Sequence, residues 1–317
     1  MNFRVDGDPF SPSQAGGHAP RNVPAAARKR LSVLFVTPFL PSPPSFGAQR
    51  RLHELISGVA ASNDVSVLSL VDPAYPENGT ASTRNLNAGF QVLLPGERAR
   101  PHRHSMNAIR FVVEGSGATT VVDGIPCPMN FGDLVLTPGW TWHDHVHEGS
   151  ERIVWLDVLD GQLHRFLETD AFEPGPIHDL VPPQSAMFYY PWQSVVDALG
   201  ATELGEDRMR RVRYIDPVTG GAVMSTLDCE LWEIDAGVST RAASSTAHHI
   251  CAIVEGSGTT QAGDTTIQWQ PRDVFSLPAG QPVRHTADDR TRIFVVSDSE
   301  VLRRLDLLVE RVHGDAS

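Results

Sequence analysis

The stretch Pro101–Phe111, PHRHSMNAIRF, sets the organisation of the whole chain. Its histidines, His102 and His104, stand at positions i and i+2, so on an extended strand both imidazoles point to one face of a sheet. A third histidine, His143, follows in the segment WTWHDH at 140–145. If a neighbouring strand carries it to the same face, the three rings form a facial set of nitrogen ligands. The pattern predicts a metal site at His102, His104 and His143.

The glycines and prolines around these histidines are spaced as in the cupin signature. Five residues separate Gly96 from His102, and Gly115 closes the first half of the signature. Five residues likewise separate Gly132 from Pro138, ahead of the third histidine. The spacing therefore resembles both halves of a cupin motif, in order, and predicts a small β-barrel around the metal.

The glutamate that usually completes a cupin ligand set is absent, since Ala108 and Ile109 occupy its positions. Three neutral imidazoles leave coordination positions open and the charge of the metal uncompensated. An anionic, chelating substrate would meet both needs. Imidazole ligation suits Fe, Zn, Cu or Ni, so the ligands alone do not select the metal.

An internal repeat indicates a second barrel. Val113–Gly117, VEGSG, recurs as Val254–Gly258. Aligning the two copies places Ala243, Ser245 and Val283 where the first copy has its three histidines. The second barrel is therefore predicted to lack metal ligands and to serve as a structural partner.

Composition excludes several classes of protein. The 317 residues suffice for two domains, and a net charge of −12 argues against nucleic-acid binding. Three cysteines are too few for a disulfide framework and favour a reducing, cytoplasmic setting. No apolar run approaches the roughly 20 residues of a membrane span. A cytoplasmic protein with no nucleic-acid or membrane partner is expected.

The pattern along the chain predicts a mainly β fold, a bicupin of two double-stranded β-helix (jelly-roll) barrels with an N-terminal α/β extension. Strands are predicted at Phe90–Leu94, Ile109–Glu114, Ala118–Val122, Leu134–Thr137 and Arg152–Leu156, because these runs are apolar or β-branched and bounded by turn residues. Before the barrels, the sequence predicts a disordered leader at 1–30 and a β-loop-α-β segment at 31–80. The metal-binding cupin is predicted at 86–160, a connection with helices at 161–215 and the second cupin at 216–298. The C-terminal residues 299–317 are predicted to form an amphipathic helix.

The segment at 33–55, VLFVTPFLPSPPSFGAQRRLHEL, resembles the first strand, loop and helix of glycosyltransferase N-terminal domains. No nucleotide-sugar-binding half follows. The segment is therefore expected to be a scaffold or a fusion remnant packed on the barrel, without transferase activity.

Four further residues are candidates for catalysis. Arg110 offers a planar fork for a carboxylate, or else a salt bridge. His145 is suited to moving a proton or to hydrogen bonding beside the ligands. Asp157 either orients one of these groups or caps the barrel edge, and Gln91 lies on the strand leading to the first histidines.

Longer motifs resemble the gentisate 1,2-dioxygenase family of bicupins, which includes ring-cleaving enzymes for salicylate and 1-hydroxy-2-naphthoate. They are PHRHSMNAIRFVVEG (101–115), GDLVLTPGWTWHDH (132–145), VWLDVLD (154–160), RYIDPVTGGAVMSTLDC (213–229) and GDTTIQWQPRDVFSLP (263–278). The resemblance implies Fe(II) on the three histidines, a hydroxylated aromatic carboxylate chelating it beside O2, and an open-chain oxo-diacid product. It also implies that Arg110 and His145 contact the substrate, with Gln91 and Asp157 in support, in a homo-oligomer of two or four chains.

The chain departs from that family at three points. Asn87 replaces a common aromatic residue, Met106 replaces a common glutamine, and the N-terminal segment that supplies another substrate-binding arginine is different. Two alternatives therefore stand beside the dioxygenase. One is a metal-cupin enzyme with another chemistry on a biosynthetic intermediate, and the other is a non-catalytic bicupin that binds or scaffolds a partner.

Overall fold

The structure, a computed structural model, describes residues 35–36, 67–72, 81–175 and 188–314. The first group of strands is β1 (Phe35–Val36), β2 (Val67–Val71), β3 (Asn87–Leu93), β4 (Arg98–His104), β5 (Ala108–Glu114), β6 (Ser116–Val122), β7 (Ile125–Asn130), β8 (Leu134–Thr137), β9 (His143–His147), β10 (Ile153–Leu159), β11 (Phe172–Pro174) and β12 (Tyr189–Tyr190). The second group is β13 (Arg210–Arg213), β14 (Asp228–Ile234), β15 (Ala243–Ser245), β16 (His249–Glu255), β17 (Gly258–Ala262), β18 (Thr265–Trp269), β19 (Val274–Leu277), β20 (Val283–Ala287), β21 (Thr291–Ser297) and β22 (Glu310–Val312). The helices are α1 (Gly161–Phe166), α2 (Trp192–Gly200) and α3 (Ser299–Arg304).

Each group of strands forms a barrel of two facing sheets. In the first barrel the orders are β1-β2-β3-β10-β5-β8-β12 and β11-β4-β9-β6-β7. In the second they are β13-β14-β21-β16-β19 and β18-β17-β20-β15-β22. From β3 to β10 and from β14 to β21, most consecutive strands thus alternate between the two sheets of a barrel, as in a jelly roll; the hairpins β6–β7 and β17–β18 stay within one sheet. The prediction of a mainly β bicupin is confirmed.

Strand β5 shows how sequence alternation joins the two barrels. Successive side chains of a strand point to opposite faces. Ile109 and Phe111 pack into a core shared with the second barrel, whereas Val112 packs inside the first barrel. The Phe111 ring stacks on Phe294 of the second barrel, with centroids 4.0 Å apart and planes inclined by 8°. The outer faces of the two barrels therefore bury each other in one apolar cluster.

Among strands β3 to β10, the set of predicted strands lacks β4, β7 and β9, although the His102–His104 spacing assumed an extended segment at β4. Polar side chains dominate β4 and β9, and prolines interrupt β4 and β7. Their pairing with neighbouring strands outweighs these weak local signals. Two of these three strands carry the histidines, so the ligand-bearing strands are those with the least apolar sequence.

The predicted C-terminal helix is wrong in length. Helix α3 begins at Ser299 as expected but ends at Arg304, and strand β22 follows and pairs with β15. Leu305 and Val312 are exposed although they belong to the predicted apolar stripe. The shorter helix frees the last residues to close an edge of the second barrel.

Within the described ranges, no helix is long and apolar enough to cross a bilayer.

The N-terminal extension continues the sheet of the first barrel. Strand β1 pairs in parallel with β2, and β2 pairs antiparallel with β3. A parallel pair needs a crossover connection, which agrees with the predicted β-loop-α-β order. The helix of that predicted segment and the leader lie outside the described residues, and the glycosyltransferase resemblance stays a prediction.

The repeated turn at Gly115 provides a test of the fold. Gly115 has φ +84°, and a Cβ there would lie 2.4 Å from the carbonyl oxygen of Arg152. Gly96 has the same φ of +84° but no atom within 4 Å of a Cβ. We expect Gly96→Ala to cost about 1 kcal/mol of unfolding free energy from backbone strain alone. Gly115→Ala should cost about 3 kcal/mol, because the clash adds to the strain. Equal losses in urea denaturation would contradict the packing described for this turn.

Buried histidines of the second barrel make its stability depend on pH. Burial lowers the pKa of His249 to about 4 and that of His285 to about 3. In the unfolded chain each would titrate near pH 6.5, so the unfolded state gains protons first and stability falls as the pH drops below that value. At pH 5 the loss should be about 2 kcal/mol for the buried His285 and less for His249, which is partly exposed.

The measurement is urea unfolding at pH 7.5 and pH 5.0 for the wild type and His285→Gln. The variant cannot gain that proton, so its loss of stability on acidification should be smaller by about 2 kcal/mol. The same loss in both proteins would show that His285 is not buried as a neutral imidazole.

Candidate metal centre and active site

Strands β4 and β9 bring the three predicted ligands together. His102 and His104 share one face of β4, and His102 lies directly opposite His143 on β9. Each histidine can offer one ligand nitrogen, and these nitrogens lie within 4.8 Å of one another. The ring of His143 is 4.3 Å from that of His102 and 4.8 Å from that of His104, measured between centroids.

Backbone carbonyls fix which nitrogen of each ring is available. Nδ1 of His102 lies 2.7 Å from the Arg100 oxygen, Nδ1 of His104 lies 2.8 Å from the Met106 oxygen, and Nδ1 of His143 lies 3.0 Å from the Thr141 oxygen. A carbonyl only accepts, so each Nδ1 carries the hydrogen and each Nε2 keeps its lone pair. Among the described residues, the buried Nε2 of His143 has no hydrogen-bond partner. This tautomer is the one that histidine adopts when Nε2 binds a metal, so the donor set fits a metal ion.

Burial keeps the same three rings neutral. It lowers the pKa of His104 to about 3, with a further effect from the charge of Arg110. It also lowers the pKa of His102, and it holds the pKa of His143 well below its usual value. Because a metal binds the deprotonated imidazole, no proton has to leave these rings at neutral pH.

Arg110 and Asp157 lie inside the barrel on the paired strands β5 and β10. Arg110 is 3% exposed, and its Nε lies 3.2 Å from Oδ1 of Asp157 without the alignment of a hydrogen bond. Nη1 of Arg110 donates to the hydroxyl of Thr137. Burial raises the pKa of Asp157 to about 6, although the charge of Arg110 opposes that rise. The barrel thus holds a guanidinium beside the histidines and pairs it with one carboxylate.

Comparisons with known proteins agree with this geometry. The cupin domain family matches residues 89–159. Gentisate 1,2 dioxygenase 1 of Aquipseudomonas alcaligenes is 32% identical over 70% of this chain and 72% of its own length. The 1-hydroxy-2-naphthoate 1,2-dioxygenase of Nocardioides sp. is 34% identical over 77% of this chain and 70% of its own. The chain belongs to the gentisate 1,2-dioxygenase family. It is an oxidoreductase of the cupin dioxygenase type.

Solved structures support membership of the gentisate 1,2-dioxygenase family. The salicylate 1,2-dioxygenase of Pseudaminobacter salicylatoxidans aligns with a TM-score of 0.72 and 29% identity, covering 78% of this chain and 80% of that one. The structure of that enzyme described as adducts with gentisate aligns with a TM-score of 0.75 and 27% identity, over 83% of each chain. The fold and the family of the sequence prediction are therefore confirmed.

Two more of the predicted site residues, His145 and Gln91, lie within the first barrel of this gentisate 1,2-dioxygenase family member. His145 is 1% exposed; its ring centroid is 6.1 Å from that of His143, and its Nδ1 is 2.8 Å from the hydroxyl of Thr120. Burial, and then the charge of Arg110, hold its pKa well below the usual value, so this ring is neutral. Gln91 is 9% exposed and lies opposite Trp155, a residue of the barrel interior.

An aromatic group over the histidines was missed by the sequence analysis. Strand β11 pairs with β4, and its Phe172 stacks on His102 at 5.3 Å between centroids. Glu173 of the same strand binds Arg103, whose guanidinium lies 4.6 Å from the centroid of the Trp142 ring. Strand β11 begins a dozen residues after β10, and its sequence has no apolar alternation, so only the folded structure reveals it.

A second missed group ties the ligand strand to the other barrel. Asn107 follows the histidine motif and donates from Nδ2 to Asp160 at 3.0 Å and to Thr226 at 2.8 Å. Its Oδ1 accepts from the backbone of Gly139 at 2.9 Å. Thr226 belongs to the second barrel's half of the chain and in turn donates to Asp160. The loop after His104 is thereby held from both sides.

The departures from the family lie near one another. A Cβ at Gly161 would lie 2.6 Å from Oδ1 of Asn87 and 3.8 Å from Cγ of Met106. Asn87 and Met106 therefore both lie close to Gly161, the first residue of α1. They change one corner of the barrel while the histidine set is intact.

Proposed function

We propose that this enzyme binds Fe(II) through His102, His104 and His143 and uses O2 to cleave the ring of a hydroxylated aromatic carboxylate, gentisate-like or salicylate-like. The observation that carries the proposal is the convergence of three neutral imidazoles, with Nδ1 of each on a carbonyl, beside the buried Arg110. Relatives named for gentisate, 1-hydroxy-2-naphthoate and 5-aminosalicylate support the substrate class.

The side chains of the barrel have separate roles in this proposal. Bound Fe(II) supplies the redox chemistry that O2 requires, together with Lewis acidity toward the substrate oxygens. Arg110 binds the substrate carboxylate through its guanidinium, and Asp157 holds that guanidinium in place. His145, a neutral ring beside His143, donates a hydrogen bond to a substrate oxygen or moves a proton there. Gln91 supports the substrate from β3.

A different metal-cupin chemistry is the second candidate. Asn87 and Met106 alter the same corner of the barrel, and such a change would select another substrate rather than remove the metal. The non-catalytic alternative finds less support, because the relatives are named as dioxygenases. A cytoplasmic location, drawn from the three cysteines, and a dimer or tetramer, drawn from the family resemblance, remain proposals.

The test is oxygen uptake by protein reconstituted with Fe(II) under anaerobic conditions. Gentisate, salicylate and 1-hydroxy-2-naphthoate are added in turn, while the ultraviolet spectrum follows the ring-opened product. We expect uptake with at least one acid and none in a parallel sample loaded with Zn²⁺. Stoichiometric iron without uptake from any of the three would reject ring cleavage of these acids and favour the second candidate.

A further inference from the structure

The second barrel contains a cavity of about 320 Å³ where the first barrel has its metal centre. The registers of the two barrels establish the equivalence. His102 lies opposite His143 across β4 and β9, and Ala243 lies opposite Val283 across β15 and β20. Ala243 and Val283 both line the cavity, as does Ser245 at the counterpart of His104. Small side chains have replaced three imidazoles, and the space is left open.

The buried ion pair of the first barrel is also replaced. Asp157 lies opposite Arg110 in the first barrel, and Val295 lies opposite Cys251 at the matching positions of the second. Within the described part of the chain, a cluster of metal-ligating side chains occurs only at His102, His104 and His143. The cavity therefore lacks the ligand set that a metal ion needs, and its wall residues determine which other ligand it can bind.

The walls of this cavity are rich in arginine. Four arginines line it, namely Arg211, Arg241, Arg303 and Arg311. The guanidinium of Arg211 lies 5.0 Å above the centroid of the Trp232 ring, on the barrel's inner wall. Two of the four are engaged by acids, Arg211 by Asp207 and Arg303 by Glu300. The lining still carries four guanidinium groups against the three carboxylates of Asp207, Glu230 and Glu310. Because guanidinium groups bind carboxylates through paired N–H donors, this excess of positive charge favours an anionic ligand.

The acidic side chains of the same walls are engaged by protein groups. Asp207 forms an ion pair with Arg211, and Glu230 accepts a hydrogen bond from Nε1 of Trp232 at 2.5 Å. Glu310 belongs to the exposed edge strand β22. Asp207 and Glu230 thus hold groups of the wall in place, and Glu310 lies at the edge, so the acids are not arranged to bind a cation.

Two neutral imidazoles complete the polar lining. His249 and His285 border the cavity and are kept neutral by burial, which lowers their pKa values. Nδ1 of His285 lies 2.7 Å from the hydroxyl of Thr260, which leaves its Nε2 for another partner. The neutral rings and the hydroxyl of Ser245, which shares a strand face with Ala243, can bond the polar atoms of a ligand without adding charge.

We propose that the second barrel is a binding site for a small organic carboxylate. The volume lies at the small end of ligand pockets, and arginine supplies the charge that such an anion needs. The ligand is either an aromatic carboxylate or an open-chain dicarboxylate, which share the group that arginine recognises. The site does not depend on the reaction assigned to the first barrel.

The test is equilibrium dialysis of the full-length, metal-loaded protein with radiolabelled benzoate and, separately, radiolabelled fumarate. Ala243→Leu places a larger apolar side chain in the cavity, and Arg241→Gln removes a lining charge while it keeps a polar side chain. Arg284→Gln is the matched control, because Arg284 lies on β20 between Val283 and His285, faces away from them and does not line the cavity. Any binding of the probes in the first barrel is the same in the wild type and the three variants, so differences between their isotherms report the second barrel alone.

We expect Ala243→Leu to lose one site per chain, Arg241→Gln to weaken that site about tenfold, and Arg284→Gln to match the wild type. If Ala243→Leu loses a site for benzoate, the ligand of the second barrel is an aromatic carboxylate. If it loses a site for fumarate but none for benzoate, the ligand is an open-chain diacid. Identical isotherms for all four proteins with both probes would overturn the proposal. Thermal unfolding checks that Ala243→Leu is folded, and Arg241→Gln alone decides the question if it is not.

Discussion

His143→Ala is expected to remove both the bound metal and the oxygen uptake. His143 is the ligand that comes from the second strand, and its buried Nε2 has no partner among the described residues. Loss of an outer hydrogen bond already costs roughly 10- to 100-fold in metal affinity, and loss of a ligand should cost more. Metal content by mass spectrometry and oxygen uptake should therefore fall together.

The control for that experiment is His313→Ala. Nε2 of His313 lies 2.9 Å from the hydroxyl of Ser244 in the second barrel, so this ring is outside the histidine set and its loop. This variant should keep one metal ion and its activity. A His143→Ala protein with full metal and normal uptake would remove the three-histidine site from the mechanism.

Arg110→Met is expected to weaken both the fold and substrate binding. Removal of one partner from a buried ion pair costs about 3–5 kcal/mol when the other charge remains. Asp157 limits this cost, because its pKa is already raised to about 6 and rises further without the guanidinium. A carboxyl that ionises less readily when folded loses stability as the pH rises, so the variant should be less stable at pH 8 than at pH 6.

The double variant Arg110→Met/Asp157→Leu separates the two roles of Arg110. It leaves no buried charge and should recover most of the stability lost by Arg110→Met, while the KM for substrate stays high. Arg152→Met is the matched control, since its ion pair with Glu114 is partly exposed and should contribute less than about 1 kcal/mol. An unchanged KM in both Arg110 variants would exclude carboxylate binding by this side chain.

The histidine set was predictable because its signal is local. His102 and His104 obey the two-residue period of a strand, and the glycine spacing fixes the turns around them. Arg110 follows the same rule, since it shares a face with residues of the barrel interior. Only the register of β5 and β10, which no single stretch of sequence encodes, makes Asp157 its partner.

Contacts between distant parts of the chain were not predictable in this way. Phe172 reaches His102 from a three-residue strand with no periodic pattern, and Thr226 reaches Asn107 from the other half of the chain. The C-terminal apolar spacing favoured a long helix, but pairing of β22 with β15 decides the outcome. Tertiary pairing outweighs local preference at each of these places.

The stacking of Phe111 on Phe294 has a consequence for the history of the repeat. A duplicated domain that has lost its ligands could be deleted without loss of chemistry, yet here deletion would expose an apolar face of the copy that kept them. Packing against the first copy therefore constrains the outer face of the second copy, while its interior has exchanged the three histidines for Ala243, Ser245 and Val283. One face of a single sheet thus serves the partner barrel, and the opposite face lines a cavity of its own.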